Sequence, residues 1–227
     1  MSRGGPLRQG EGLVVVHMPK TAGTSLRALL SDAFGDGLHE DYADTPLQRG
    51  RVERRVRALR DALRHAGRPL EAPCVYGHFL PLKYALARGA RFVTWLRDPV
   101  QRVVSRYHHY QRAVEAGEAL HVRWGLVPGL SLEAFAALPQ YRDTYAEYLW
   151  GFPLRRFEFI GRVECFDADL ERLCDRFGLA RPQVPVRVNA NPLRSGDGYA
   201  VPPATEALIR RLNPRDVAIY ARACGRS

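Results

Sequence analysis

Apolar and polar positions alternate along this chain in blocks that read as strands and helices in turn. The first block, Leu13–His17, is a continuous apolar run ending at Met18-Pro19, the pattern of a buried strand. Leu26, Leu29, Leu30 and Phe34 then recur at helical spacing, so a helix is expected over about 24–34, broken by Gly35-Asp36-Gly37. Residues 38–46 are polar and read as a loop. A second helix is expected over about 48–65, with Val52, Val56, Leu59 and Leu63 on one face and Arg51, Arg54, Arg55, Arg57, Arg60 and Arg64 crowding the other. That arginine face reads as solvated, or as a docking surface for an acidic acceptor. Residues 73–79 and 90–96 are expected strands, with a short helical turn over 83–88 between them. A long helix follows Asp98-Pro99, because aspartate is a natural N-cap and proline a natural first helical residue.

Beyond that helix, residues 115–130 read as a loop and 131–138 and 141–150 as short helices. Tyr141, Tyr145, Tyr148 and Trp150 either line an acceptor groove or pack internally. A fourth strand is expected over 157–163 and an amphipathic helix over 167–177. Residues 181–203, rich in Pro, Asn and Gly, form a long irregular segment of the kind that often carries function. Two helices, about 203–212 and 214–223, follow it. Strands alternating with helices make this an α/β protein with a central parallel sheet flanked by helices. The expected organisation is a disordered lead-in over 1–12 and a single domain over 13–227.

Composition narrows the class. The chain has 227 residues, 46% hydrophobic and 26% charged, ordinary for a globular protein. No apolar run approaches the ~20 residues of a membrane helix. The apolar stretch near the N-terminus is too short for a signal segment, so a cytoplasmic protein without a transmembrane segment is expected. The four cysteines, Cys74, Cys165, Cys174 and Cys224, contain no C-x-x-C pair, which argues against a zinc site and for buried free thiols. Net charge is +10, fitting a polyanionic partner or simply an arginine-rich surface. Of the 34 basic residues, only Lys20 and Lys83 are lysine. A lysine at the head of a tight loop is then a chosen point charge, which a planar guanidinium replaces poorly.

Candidate chemistry gathers at two places. Lys20-Thr21-Ala22-Gly23-Thr24-Ser25 joins the first strand to the first helix. Thr24 and Ser25 are expected to open that helix, whose unpaired N–H groups and positive dipole end attract an anion. An ordinary capped strand–turn–helix junction is the plainer alternative. The pattern is not the common nucleotide loop, because its lysine precedes Gly23 instead of following the second glycine. The second place is Arg97-Asp98-Pro99, with Ser105 two helical turns on. Both helices rise from C-terminal strand ends, which line the ligand crevice of open α/β sheets.

Together these segments resemble the sulfotransferases. Lys20 to Ser25 after Met18-Pro19 is similar to their 5′-phosphosulfate loop, and Arg97-Asp98-Pro99 with Ser105 to their 3′-phosphate segment. His17-Met18-Pro19-Lys20 and Tyr76-Gly77-His78 resemble the carbohydrate branch that includes heparan 2-O-sulfotransferases and bacterial relatives. Gly161 to Glu164, the Asn189 loop and Asp216 to Tyr220 resemble its C-terminal half. The resemblance implies a P-loop-like fold and 3′-phosphoadenosine 5′-phosphosulfate (PAPS) as donor, with 3′-phosphoadenosine 5′-phosphate (PAP) as product. It implies no metal and no nucleic-acid partner. The acceptor implied is a hydroxyl on a glycan or glycosylated metabolite.

In that picture Lys20, Thr21, Ala22, Gly23, Thr24 and Ser25 hold the phosphosulfate, and Arg97 and Ser105 the 3′-phosphate. Arg194 and Ser195 close over the nucleotide. Lys20 stabilises the leaving oxygen and His78 is the base, with Glu40 and Asp41 as substitutes. The heparan members carry a histidine where this chain has Tyr76. His108 and His109 read as structural or acceptor-facing. Two other classes compete: a P-loop kinase or NTPase, which needs magnesium ligands such as Asp98, and a non-catalytic polyanion-binding module.

Overall fold

The computed structural model describes residues 5–42, 49–118, 125–181 and 198–225. Contacts divide the chain into two units, Met1–Leu96 with Tyr148–Ala190, and Arg97–Glu147 with Asn191–Ser227. The first unit holds β1 (Gly12–Val16), α1 (Gly23–Phe34), β2 (Leu38–Asp41), α2 (Arg51–Arg64), β3 (Cys74–Gly77), β4 (Ala90–Leu96), β5 (Phe157–Arg162) and α6 (Phe166–Phe177). The second holds α3 (Pro99–Glu115), α4 (Leu132–Ala136), most of α5 (Thr144–Tyr148), α7 (Pro203–Leu212) and α8 (Pro214–Cys224).

The sheet runs β2-β3-β1-β4-β5 with every neighbouring pair parallel. The expected α/β architecture is thus present. β1 is central, paired to β3 (Val14↔Val75) and to β4 (Val14↔Phe92). A central parallel strand is covered on both faces, and this is why Leu13–Val16 reads as an unbroken apolar run. Its side chains join Leu26, Leu29 and Leu30 of α1, Trp95 of β4 and Leu170, Leu173 and Phe177 of α6 in one core. Residues just before β1 are tied down as well: the Leu7 N–H donates to Phe177 O at 3.2 Å, and Arg91 donates to Pro6 O at 3.1 Å.

Two readings of the sequence change. Residues 38–41, expected as loop, form the edge strand β2, paired from Leu38↔Cys74 to Asp41↔Gly77. Leu-His-Glu-Asp carries no apolar alternation; backbone pairing makes the strand, with Leu38 packed on the core and Asp41 bound to Lys83 and Tyr84. Gly77 permits the approach, since a Cβ there would overlap the Asp41 carbonyl. The second change is the orientation of α2. Its packed face is Arg54, Ala58 and Ala62, while Val52, Val56, Leu59 and Leu63 are exposed. Two alanines let the helix sit close, and the Arg54 guanidinium lies 5.1 Å from the Tyr148 ring, a cation–π contact that makes arginine an acceptable buried residue.

In the second unit, Val100, Val103 and Val104 of α3 pack on Ala136, Tyr199 and Ile209. Tyr110, Leu126, Phe135 and Tyr141 form a neighbouring cluster. Tyr141 stacks on Phe135 at 4.5 Å and Tyr145 is buried, as is Tyr148 in the first unit, so these three aromatics pack internally. All four cysteines are free, with Cys74 and Cys174 buried. Among the described residues no helix is long and apolar enough to cross a membrane, and no group of three potential metal ligands is gathered.

Candidate active site

The loop after β1 is held in an unusual backbone shape. Lys20 and Ala22 both adopt left-handed conformations, φ 69° and 60°, which are uncommon for side-chain-bearing residues and need surrounding structure to hold them. Several contacts do so. Thr21 Oγ1 donates to Met18 O at 2.8 Å, the His17 N–H donates to Gly77 O at 2.9 Å, and the Tyr76 hydroxyl donates to Gly23 O at 2.8 Å. The His17 imidazole lies against Gly23, where any Cβ would overlap its ring. α1 therefore opens at Gly23, one residue before the expected Thr24, from an Ala22 cap that offers no side-chain acceptor. No acidic residue occupies the first turn. A helix start without a carboxylate of its own, headed by a lysine, is electrostatically prepared for an external anion.

Four rings gather beside this loop. His17 stacks on Tyr76 at 5.3 Å and on His78 at 4.4 Å. Tyr42 meets His78 edge-on at 5.1 Å and Tyr76 at 6.2 Å. His78 lies just past the C-terminal end of β3, and its Nδ1 is 2.5 Å from His17 O. A carbonyl oxygen only accepts, so this bond puts the proton on Nδ1 and makes Nε2 the basic nitrogen of His78. Burial holds His17 well below the ordinary imidazole range, and electrostatic interaction with His78 and Lys20 pushes the same way. Its Nδ1 is sealed without a hydrogen-bond partner. Burial also pushes the Tyr76 phenol well above its usual value, so it stays a neutral donor.

Both substitute bases are taken by cations. Glu40 receives Arg27 Nε at 2.9 Å on each oxygen and Nη2 at 2.5 Å, and the Arg27 hydrogen bonds hold its carboxyl below the usual range. Asp41 is buried, with Lys83 Nζ at 2.6 Å and the Tyr84 hydroxyl at 2.9 Å on Oδ2. The second lysine of the chain thus closes a buried ion pair. Of the three bases considered from sequence, His78 is the one whose ring nitrogen meets a backbone carbonyl.

In the second unit, Arg97 directly follows β4 and is mostly buried. Tyr145 clamps its backbone from both sides: the Arg97 N–H donates to Tyr145 Oη at 3.0 Å, and the hydroxyl donates to Arg97 O at 2.7 Å. The guanidinium lies 5.3 Å from the Tyr199 ring. Asp98 is the expected N-cap, accepting from the N–H groups of Val100 at 2.9 Å and Gln101 at 3.2 Å, with Arg210 on its other oxygen at 3.3 Å. Ser105 is buried in α3. His108 Nδ1 is 2.9 Å from Gln111 Oε1 on the same helix. Arg194 and Ser195 lie outside the described residues.

Several solved structures are similar to this chain. A sulfotransferase from Alicyclobacillus acidocaldarius is 15% identical over 94% of this chain and 95% of its own, with a TM-score of 0.49. Mouse sulfotransferase SULT7A1 complexed with PAP is 12% identical over 79% of this chain and 62% of its own, at 0.46. A sulfotransferase domain from the curacin biosynthetic pathway is 13% identical over 93% and 97%, at 0.44. No protein-family model matches the sequence, and no curated protein does.

Reasoning from sequence proposed Lys20, Gly23 and His78 for the site, quoted His17 and Tyr76 only as motif residues, and did not consider Tyr42. Their role is to hold: Tyr76 bonds the loop at Gly23, His17 floors it, and Tyr42 borders His78. The one signal in the sequence was the lone glycine six residues past His17, which marks a close approach without saying to what.

Proposed function

We propose that this chain transfers a sulfuryl group from PAPS to an acceptor hydroxyl on a carbohydrate, releasing PAP. The observation that carries the reading is the His78–His17 bond. It presents a basic imidazole nitrogen next to the loop that carries Lys20 and the uncapped start of α1. In the reaction the acceptor oxygen bonds to sulfur in line as the bond from sulfur to the bridging phosphate oxygen breaks. The bridging oxygen takes the electron pair, and the Lys20 ammonium stabilises the charge that develops there. The acceptor proton passes to Nε2 of His78. Backbone N–H groups of residues 21–25 bind the phosphosulfate. Arg97 and Ser105 receive the 3′-phosphate, and Arg194 and Ser195 assist with the nucleotide. The kinase reading has less support, because both Asp98 oxygens already serve the α3 cap and Arg210.

The test is turnover with sulfur-labelled PAPS over a panel of sugar, lipid-linked, phenolic and peptidyl hydroxyls, beside a thermal-shift comparison of PAP, ATP with Mg²⁺, and an oligonucleotide. Label should enter a sugar hydroxyl, and PAP alone should raise the melting temperature. Lys20→Ala should fold normally and lose ~2.7–4 kcal/mol of transition-state stabilisation, the range for removing one such donor. Stabilisation by ATP–Mg²⁺ but not PAP, or near-normal kcat in Lys20→Ala, would overturn the assignment.

A further inference from the structure

The α2 helix presents its apolar residues to solvent. Val52, Val56, Leu59 and Leu63 are between 48% and 74% exposed, while Arg54, Ala58 and Ala62 on the opposite side are buried. Steps of four, three and four residues are the a/d spacing of a helix–helix seam. At about 100° per residue the four side chains fall within about 60° of arc, and they extend roughly 16 Å along the helix. One side of this seam carries Arg57, Arg60 and Arg64, the last of them paired with Asp61 at 3.2 Å. Glu53 lies on the same side, but Arg49 already binds it at 2.5 Å. Arg57 and Arg60 keep the flank basic, next to an aliphatic strip that the described residues leave exposed.

We propose that α2 is a docking helix for another protein, and that the element it receives is an amphipathic helix with an aliphatic seam flanked by glutamate or aspartate. The narrowness of the strip argues for a helix as the occupant. A seam of a/d residues alone is the width that one facing helix covers, whereas a helix lying in a membrane needs a broad apolar face. Charge argues against a second copy of this chain. A symmetric pairing would set two basic flanks together on a molecule of net charge +10. An acidic partner gains at the same positions, where flanking charges choose the partner of a helix seam. None of these residues belongs to the machinery around Lys20 and His78, so the surface is separate from the sulfuryl-transfer reading.

The probe is a synthetic fluorescent peptide of about three heptads, with leucine at a and d and glutamate at e and g, whose own pairing is disfavoured by like charges. Fluorescence anisotropy with the full chain at low salt should show saturable binding that weakens as salt rises. The double variant Val56→Asp, Leu59→Asp should keep its circular-dichroism melt, because both sites are exposed, and should lose affinity by at least about tenfold. Arg60→Glu with Arg64→Glu should reject the glutamate peptide and accept a lysine-flanked one. The proposal falls if the peptide does not bind or binds the Val56→Asp, Leu59→Asp variant equally well. It also falls if phosphatidylcholine–phosphatidylglycerol vesicles capture the chain through the seam while the peptide does not. A dimer seen by light scattering that these aspartates dissolve would likewise overturn it, by assigning the seam to a second copy.

Discussion

At the scale of single residues, the two stacked histidines have opposite tasks. His78 is oriented by a backbone carbonyl, and as the proposed base it is the residue whose loss should be felt in chemistry alone. His78→Ala is expected to lower kcat by ~10²–10⁴-fold and leave PAP affinity nearly unchanged. His78→Asn should be almost as inactive, because an amide cannot take the proton. A variant in which asparagine restores turnover would make His78 structural. His17 is instead a buried neutral imidazole whose proton affinity is depressed in the folded state. The unfolded chain then binds more protons than the folded one below the free imidazole value of about 6.5. The stability this residue contributes is complete above that pH and is lost as pH falls below it, by at most about 1.4 kcal/mol per pH unit for one group. Urea unfolding of wild type and His17→Phe between pH 7.5 and 5.5 should show a shallower acid loss in the variant. Equal slopes would mean that His17 does not titrate as a buried base.

At the scale of elements, the start of α1 depends on a glycine for reasons of space. Gly23 sits on the His17 ring and accepts from Tyr76, so a methyl group must displace the ring or the loop. Gly23→Ala is expected to cost ~1–3 kcal/mol, the usual range for forcing atoms into a packed site. It should also weaken PAP binding measured by calorimetry. Unchanged stability with unchanged PAP affinity would show that the loop relaxes freely. The helix ends themselves were legible, because their signals are local: Asp98-Pro99 opens α3 as read, and Gly178 closes α6 in a left-handed conformation. The facing of α2 was not. An apolar period identifies a stripe, but whether core or solvent meets it depends on what stands opposite, here Tyr148 and Trp150 beneath Arg54 and Arg55.

At the scale of the whole molecule, a ligand that binds only the folded chain stabilises it by mass action, about 2.7 kcal/mol at a hundredfold excess over Kd. This gives a test of Arg97 and Ser105. PAP should raise the melting temperature of the wild type, and Arg97→Ala or Ser105→Ala should abolish most of that rise. Adenosine 5′-phosphosulfate, which lacks the 3′-phosphate, should stabilise wild type and variants alike. Equal losses with both nucleotides would mean that these residues do not read the 3′-phosphate. The Tyr145 clamp acts on the Arg97 backbone, so truncating the side chain leaves that support in place.

What the sequence by itself determined is the run of elements and the loops that join them. β1, the Lys20 loop, α1, β4 and the capped start of α3 are each specified within a few residues, by apolar runs, proline, glycine and N-cap chemistry. Only the tertiary structure decided what those residues touch. His78 lies against the His17 carbonyl, 61 positions earlier, and Glu40 is held by Arg27, 13 positions earlier. β2 exists because β3 offers it a partner, and the aliphatic strip of α2 is a surface because alanines and an arginine turned inward in its place. The division has a physical cause. Backbone conformation responds to neighbours within a turn, whereas protonation, ion pairing and burial depend on groups that only folding brings into contact.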